Sequence, residues 1–238
     1  MMKACLISLG CVKNLVDSEN VLAMLIKGGH TLVSSPEEAD FIIINTCGFI
    51  RPAKEESIDY ILKMLTYQKK VIVIGCLVER YYEELKKEIP EVDLFVPIRH
   101  YDELHRYLAN LTKQSLPQFS LNHRLYSTPK YFAYLKISEG CDHRCRYCAI
   151  PDIRGPFRSY PLDDLLLQAK HMHEQGVQEV VLIGQNTTGY GEDLDRETTL
   201  ITLLEALLTF PNFCCIRLLY LYPYEVNQEL ITFIKDHP

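Results

Sequence analysis

The sequence predicts an α/β protein in two parts. Residues 1–111 read as a parallel sheet with helices on both faces, an α/β sandwich. Residues 130–238 read as three further β/α units that curve toward a barrel. Three observations carry this. Short apolar runs with the length of buried strands recur along the chain and alternate with segments of helical spacing, the pattern of a parallel sheet. Between the two series, Thr112 to Pro129 loses all periodicity and gathers Gln, Ser, Asn, Thr and the prolines Pro117 and Pro129, as a linker does. The balance of 47% hydrophobic to 24% charged residues is that of an ordinary globular chain, long enough for one large or two small domains.

Cys5 to Leu9 reads as the first buried strand. Ser18 to Lys27 places Val21, Leu22, Met24, Leu25 and Ile26 in a helical grouping that Gly28 and Gly29 stop. Phe41 to Asn45 is a second strand, and Ala53 to Leu65 a helix with Ile58, Ile61, Leu62 and Leu65 on one face. Val71 to Gly75 is a third strand, Glu79 to Lys87 a charged helix ending before Pro90, and Leu94 to Val96 a further short strand. Beyond the linker, Tyr131 to Ile137 is a strand. Pro161 opens a helix running to about Gln175, closed by Gly176. Glu179 to Ile183, Leu200 to Leu208, Ile216 to Leu221 and Val226 to Lys235 continue as strand, helix, strand and helix. In sheets of this kind function sits at the C-terminal strand ends.

A net charge of −6 argues against a chain devoted mainly to nucleic-acid binding, while leaving room for a local basic patch. No apolar stretch approaches the roughly 20 residues of a membrane span. The opening Met1-Met2-Lys3-Ala4-Cys5 reads as a strand rather than a secretory signal. A reducing cytoplasmic setting is expected, and nine cysteines, an odd number, argue against a disulfide framework.

Cys141, Cys145 and Cys148 stand in a Cys-x3-Cys-x2-Cys run just past a predicted strand. Thiolates are soft ligands that select zinc, Cu(I) or iron–sulfur clusters. Three on one loop can each hold an iron of a [4Fe–4S] cube and leave the fourth iron open. Gly140 lets the loop fold tightly. The alternative is a zinc site completed by His143, although structural zinc usually draws on two separated pairs and no second Cys-x2-Cys occurs.

Cys11, Cys47 and Cys76 share a different property: each lies just beyond a predicted strand. The C-termini of parallel strands line one sheet edge, so these thiols could converge there. Free cysteine is equally often a small buried hydrophobe. Cys5, Cys214 and Cys215 are expected to be of that kind.

With Tyr147 in the aromatic position before Cys148, the loop resembles the signature of radical S-adenosylmethionine enzymes. The resemblance implies a six-unit partial β/α barrel, of which this chain would hold the first half and lack the second. It further implies that the open iron chelates S-adenosylmethionine, whose cleavage yields a 5′-deoxyadenosyl radical. Ser8 to Glu19, Asn45 to Ile50, Ala53 to Ile58, Gly75 to Tyr81 and Ile150 to Gly155 extend the likeness to the methylthiotransferases of that superfamily. Val12 stands where that family more often has proline. By this resemblance, residues 1–111 form the methylthiotransferase domain, 112–129 a linker and 130–238 an incomplete radical S-adenosylmethionine domain. Cys11, Cys47 and Cys76 would hold a second [4Fe–4S] cluster.

The segments Asn186 to Gly191 and Arg217 to Pro223 look like the branch that modifies an aspartate β-carbon in a small-subunit ribosomal protein. The competing branch modifies an adenosine of transfer RNA. A third reading is a non-catalytic metal or iron–sulfur module. The family implies an electron donor such as a flavodoxin or ferredoxin. Tyr147, Gly184, Gln185 and Asn186 are the expected cofactor contacts, the last three because they end a barrel strand. Arg158 and Arg217 could meet a carboxylate or form structural ion pairs. His171 and His173 are expected on a helix surface.

Overall fold

The computed structural model describes residues 1–120 and 122–238. It contains two compact units, Met1–Leu125 with Asp152–Arg154, and Tyr126–Pro151 with Gly155–Pro238.

In the first unit β1 (Lys3–Ser8), α1 (Val12–Lys27), β2 (Thr31–Leu32), β3 (Phe41–Thr46), α2 (Arg51–Leu65), β4 (Lys70–Gly75), α3 (Cys76–Glu88), β5 (Leu94–Val96) and α4 (Leu104–Thr112) follow in turn. The sheet is parallel throughout, in the order β2-β1-β3-β4-β5. Its centre is continuously apolar because helices cover both faces. Alternation along the strands divides the core cleanly. Ile42, Ile44, Val71 and Val73 face Ile61 and Met64 of α2 and Leu77, Val78 and Leu85 of α3. Phe41, Ile43, Ile72 and Ile74 face Val21, Met24 and Leu25 of α1 and Leu104 and Leu108 of α4. The expected sandwich is present.

Helix α1 begins six residues before its apolar spacing predicts. Asn14, Asp17, Ser18, Glu19 and Asn20 in those first turns are polar yet buried, so no apolar stripe marks them. Helix α4 and the two-residue β2 were not anticipated either. The stretch expected as a linker has no helix or strand among its described residues after Thr112, and Leu121 within it lies outside the described residues. It is anchored nonetheless. Leu116 packs into the core, and Arg124, whose side chain is 1% exposed, pairs with the buried Glu19 at 2.5 Å.

The second unit contains β6 (Phe132–Lys136), β7 (Ser138–Glu139), α5 (Ile150–Arg154, whose last three residues group with the first unit), β8 (Arg158–Ser159), α6 (Leu162–Glu174), β9 (Glu179–Ile183), α7 (Leu200–Leu208), β10 (Cys215–Leu218) and α8 (Gln228–Asp236). Its sheet is parallel in the order β10-β9-β6. Leu165, Ala169 and Met172 of α6 and Leu203, Leu204 and Leu207 of α7 form its buried helical side. The antiparallel pair β7–β8 and the short α5 are additions that strand and helix periodicity does not reveal.

Two smaller expectations need correction. Cys214 and Cys215, at the entry of β10, are exposed rather than buried. His171 and His173 are half-buried rather than on the surface, and His173 leans on Phe210 at 5.7 Å between ring centres. Among the described residues, no helix is long and apolar enough to cross a membrane.

Candidate functional site

Strand register brings the first cysteine set to one place. Ser8 pairs with Asn45, and Asn45 with Ile74, so β1, β3 and β4 end nearly level on adjacent rungs. Rungs are about 4.8 Å apart. Cys11, Cys47 and Cys76 are the first cysteines past those three ends. Cys11 caps the start of α1 and Cys76 is the first residue of α3. Helix N-termini carry partial positive charge, which favours thiolates. The three sulfurs are near enough for each of Cys47 and Cys76 to feel the charge of Cys11. Gly10 makes the approach possible. Its φ is +84°, and a Cβ there would lie 2.6 Å from Cys47 Cβ.

The polar residues of α1 bind this edge together. Asn14 Nδ2 donates to the carbonyls of Leu9 and Thr46, both at 3.0 Å. Asn45 Nδ2 donates to the Asn14 carbonyl at 2.8 Å and to Ser18 Oγ at 3.0 Å. Ser57 Oγ accepts from the Cys47 amide at 3.0 Å. The first turns of α1 are therefore buried as a hydrogen-bonded frame, which is why polar side chains are tolerated there.

Burial pushes the Cys76 thiol up to about 11, outweighing the opposing pull of Arg154. Burial raises Cys47 as well. Metal or cluster loading must displace these protons and is favoured by higher pH. A stability consequence follows for the chain without metal. Folded, Cys76 keeps its proton to about 11; unfolded, it yields it near 9. Stability from this group is complete below pH 9 and falls by up to about 3 kcal/mol as pH rises between those values. Urea unfolding at about pH 8 and about pH 10.5 is expected to show a larger loss in the unsubstituted protein than in Cys76→Ser.

In the second unit Cys141, Cys145 and Cys148 lie on the loop between β7 and α5, and all are free thiols. Cys148 N–H donates to the Cys145 carbonyl at 2.9 Å, and Cys141 N–H to the Gly155 carbonyl at 3.2 Å. Phe157 N–H donates to Asp142 Oδ1 at 3.0 Å, which pins the start of the loop. Each thiol of this loop lies close enough for Cys145 and Cys148 to oppose ionisation of Cys141, after the larger effect of burial. The His143 ring has partners of its own. Its Nε2 is 2.7 Å from Glu225 Oε1, and its ring stacks on Tyr222 at 3.9 Å.

Of the expected cofactor contacts, Gly184, Gln185 and Asn186 follow β9 directly, and Tyr147 is 88% exposed on the cysteine loop. Gln185 Nε2 donates to Glu139 Oε1 at 2.6 Å, and Glu139 also takes Lys136 Nζ at 2.9 Å. Asn186 Nδ2 donates to Glu225 Oε2 at 2.7 Å, and Thr188 Oγ1 donates to the same oxygen at 2.8 Å. Arg217 pairs with Glu179 on the neighbouring strand at 2.6 Å, the structural alternative of the two considered. Arg158 lies over the Tyr160 ring at 5.7 Å. Sequence reading missed Glu139, Thr188, Tyr222 and Glu225. Tyr222 and Glu225 follow the end of β10, so the strand-end rule that selected Asn186 could have found them.

Six cysteines in two sets suit iron–sulfur chemistry by their softness. Among the described residues, no three His, Cys, Asp or Glu side chains close on the geometry of a single metal ion. Zinc–sulfur bonds near 2.3 Å would hold thiolates within about 4 Å of one another. A cube of irons and sulfides would hold them further apart, and three free thiols in each set suit such a group by the chemistry of the donors.

Residues 3–97 match the model of the uncharacterized protein family UPF0004, and residues 135–229 that of the radical SAM superfamily. The chain is 49% identical over 235 residues to the ribosomal protein uS12 methylthiotransferase RimO of Aquifex aeolicus, covering 99% of this chain and 53% of that protein. It is 45% identical over 251 residues to the protein of the same name from Clostridioides difficile, covering 100% of this chain and 56% of the other. The chain thus spans about half the length of the curated relatives it matches. Among solved structures, the radical S-adenosylmethionine methyltransferase TsrM of Kitasatospora setae superposes with a TM-score of 0.59 at 11% identity, over 86% of this chain and 50% of TsrM. At that identity the likeness concerns the fold alone.

Proposed function

We propose that this chain, whose two parts match the UPF0004 and radical SAM models and which is 49% identical to a RimO protein over 235 residues, is a radical S-adenosylmethionine methylthiotransferase and the cluster-bearing part of an enzyme that adds a methylthio group to the β-carbon of an aspartate in a small-subunit ribosomal protein. The observation that carries this reading is the presence of two three-cysteine sets in one chain, one at the level ends of β1, β3 and β4 and one on the loop after β7. The relatives' name supports the ribosomal protein uS12 over transfer RNA as the acceptor. The acidic balance points the same way.

In this reading residues 1–111 form the methylthiotransferase domain, residues 112–129 the connection and residues 130–238 the radical domain. Cys141, Cys145 and Cys148 hold one [4Fe–4S] cluster, and Cys11, Cys47 and Cys76 hold the second. The first cluster with S-adenosylmethionine supplies a carbon radical able to take hydrogen from an unactivated position, which acid–base groups near neutral pH cannot do. The chain's own residues position and shield. Tyr147 and the Gly184–Asn186 turn offer contacts to S-adenosylmethionine beside the loop. Glu225, held by Asn186 and Thr188, orients His143 through its Nε2. A small electron-transfer protein such as a flavodoxin or ferredoxin serves as donor, and the setting is the cytoplasm.

The test is acceptor choice. The reconstituted protein is given S-adenosylmethionine, a reductant and either uS12 or transfer RNA, and each acceptor is analysed by mass spectrometry. Methylthiolation of the uS12 aspartate is expected. Modification of transfer RNA alone would overturn the choice of branch.

A further inference from the structure

Arg154 is buried beside Cys76 of the first cysteine set. It ends α5, groups with the first unit and is 8% exposed. Its Nη1 donates to Asp17 Oδ2 at 2.8 Å. Its Nη2 donates to Asn14 Oδ1 at 2.6 Å and to Cys76 Sγ at 3.3 Å. Asn14 is itself fixed by its bonds to the ends of β1 and β3, so the guanidinium is aimed rather than merely accommodated. A guanidinium presents its donors in a rigid fork, and here the fork divides between a carboxylate and a sulfur.

We propose that Arg154 is the positioning and charge-compensating residue of the Cys11, Cys47 and Cys76 site, holding Cys76 Sγ in place and raising the reduction potential of the cluster bound there. This rests on the reading of those cysteines as cluster ligands. Hydrogen bonds and positive charge at a ligating sulfur stabilise the reduced, more negative state of an iron–sulfur centre. Asp17 takes the other terminal nitrogen of the guanidinium, and its negative charge offsets part of that effect. The two residues therefore act on the potential with opposite sign, which a purely structural ion pair would not do.

The experiment uses the full chain with Cys141, Cys145 and Cys148 replaced by alanine, so that any iron belongs to the first set. Redox titration followed by paramagnetic resonance gives the midpoint of that cluster. Arg154→Gln is expected to lower the reduced-to-oxidised ratio about tenfold at the parent's midpoint, which is a shift of about 59 mV for one electron. Arg154→Lys keeps the charge and stays closer to the parent. Asp17→Asn keeps an acceptor oxygen, removes a charge and moves the midpoint upward. Unchanged midpoints in Arg154→Gln and Asp17→Asn, or shifts of the same sign in both, would overturn the inference. If Arg154→Gln holds no iron, Asp17→Asn decides alone: an upward shift supports the proposal and none refutes it. A parent that takes up no iron would instead remove the two-cluster reading, and this inference with it.

Discussion

Alanine at Cys141, Cys145 and Cys148 together is expected to abolish reductive cleavage of S-adenosylmethionine to 5′-deoxyadenosine while leaving the chain folded. The three thiols are the only soft ligands on the loop after β7, and His143 beside them is engaged with Glu225 and Tyr222. Without a cluster there is no electron relay to the cofactor, so the residual rate falls below detection rather than by a modest factor. The structural cost is small by comparison. Cys145 and Cys148 are half-buried and only Cys141 is buried, so the substitutions remove about 1–2 kcal/mol of stability at most. Product chromatography with dithionite as reductant, alongside circular dichroism, separates the two effects. Cleavage that persists in the variant would place the radical chemistry elsewhere.

Gly140→Ala is expected to have nearly the same effect through a single methyl group. Gly140 has φ +75°, where a side chain is strained by about 1 kcal/mol or more. A Cβ there would also run into the carbonyl oxygens of Pro156 and Gly155. Those are backbone atoms and cannot swing aside, and Cys141 N–H is bonded to one of them. The clash must be relieved by moving Gly140 and with it Cys141, the next residue. The variant should keep its first-set iron, lose most of the iron of the loop and lose cleavage activity. Substitution of Gly29, which also has positive φ but meets nothing within 4 Å, is the matched control for strain without collision.

The sequence reading and the structure part company for physical reasons that particular residues illustrate. Strands β3, β4 and β9 lie almost where their apolar runs place them, because strands covered on both faces are apolar at every position. Helix α1 was read short because its first turns bury Asn14, Asp17 and Glu19 in a hydrogen-bonded frame, and no hydrophobic period marks such turns. Asn14 lies against Cys76 and Asp17 is joined to it through Arg154, so patterning fails locally beside the first cysteine set. Cys11, Cys47 and Cys76 stand out in the sequence because each follows a strand, although position alone leaves a small buried hydrophobe equally open. Their level arrangement needed the register of β1, β3 and β4, which no single run encodes. Arg154 was visible only as one residue of a matched segment. Its contact with Cys76, 78 residues earlier, belongs to tertiary structure.

The central claim is that one chain carries two three-cysteine cluster sites. It is tested most directly by anaerobic reconstitution with iron and sulfide, counting iron and labile sulfide per chain beside the Cys11/Cys47/Cys76→Ala variant. Two [4Fe–4S] clusters predict about eight irons, falling to about four in the variant. About four in both would contradict the second site, and zinc without iron would contradict the radical reading as a whole.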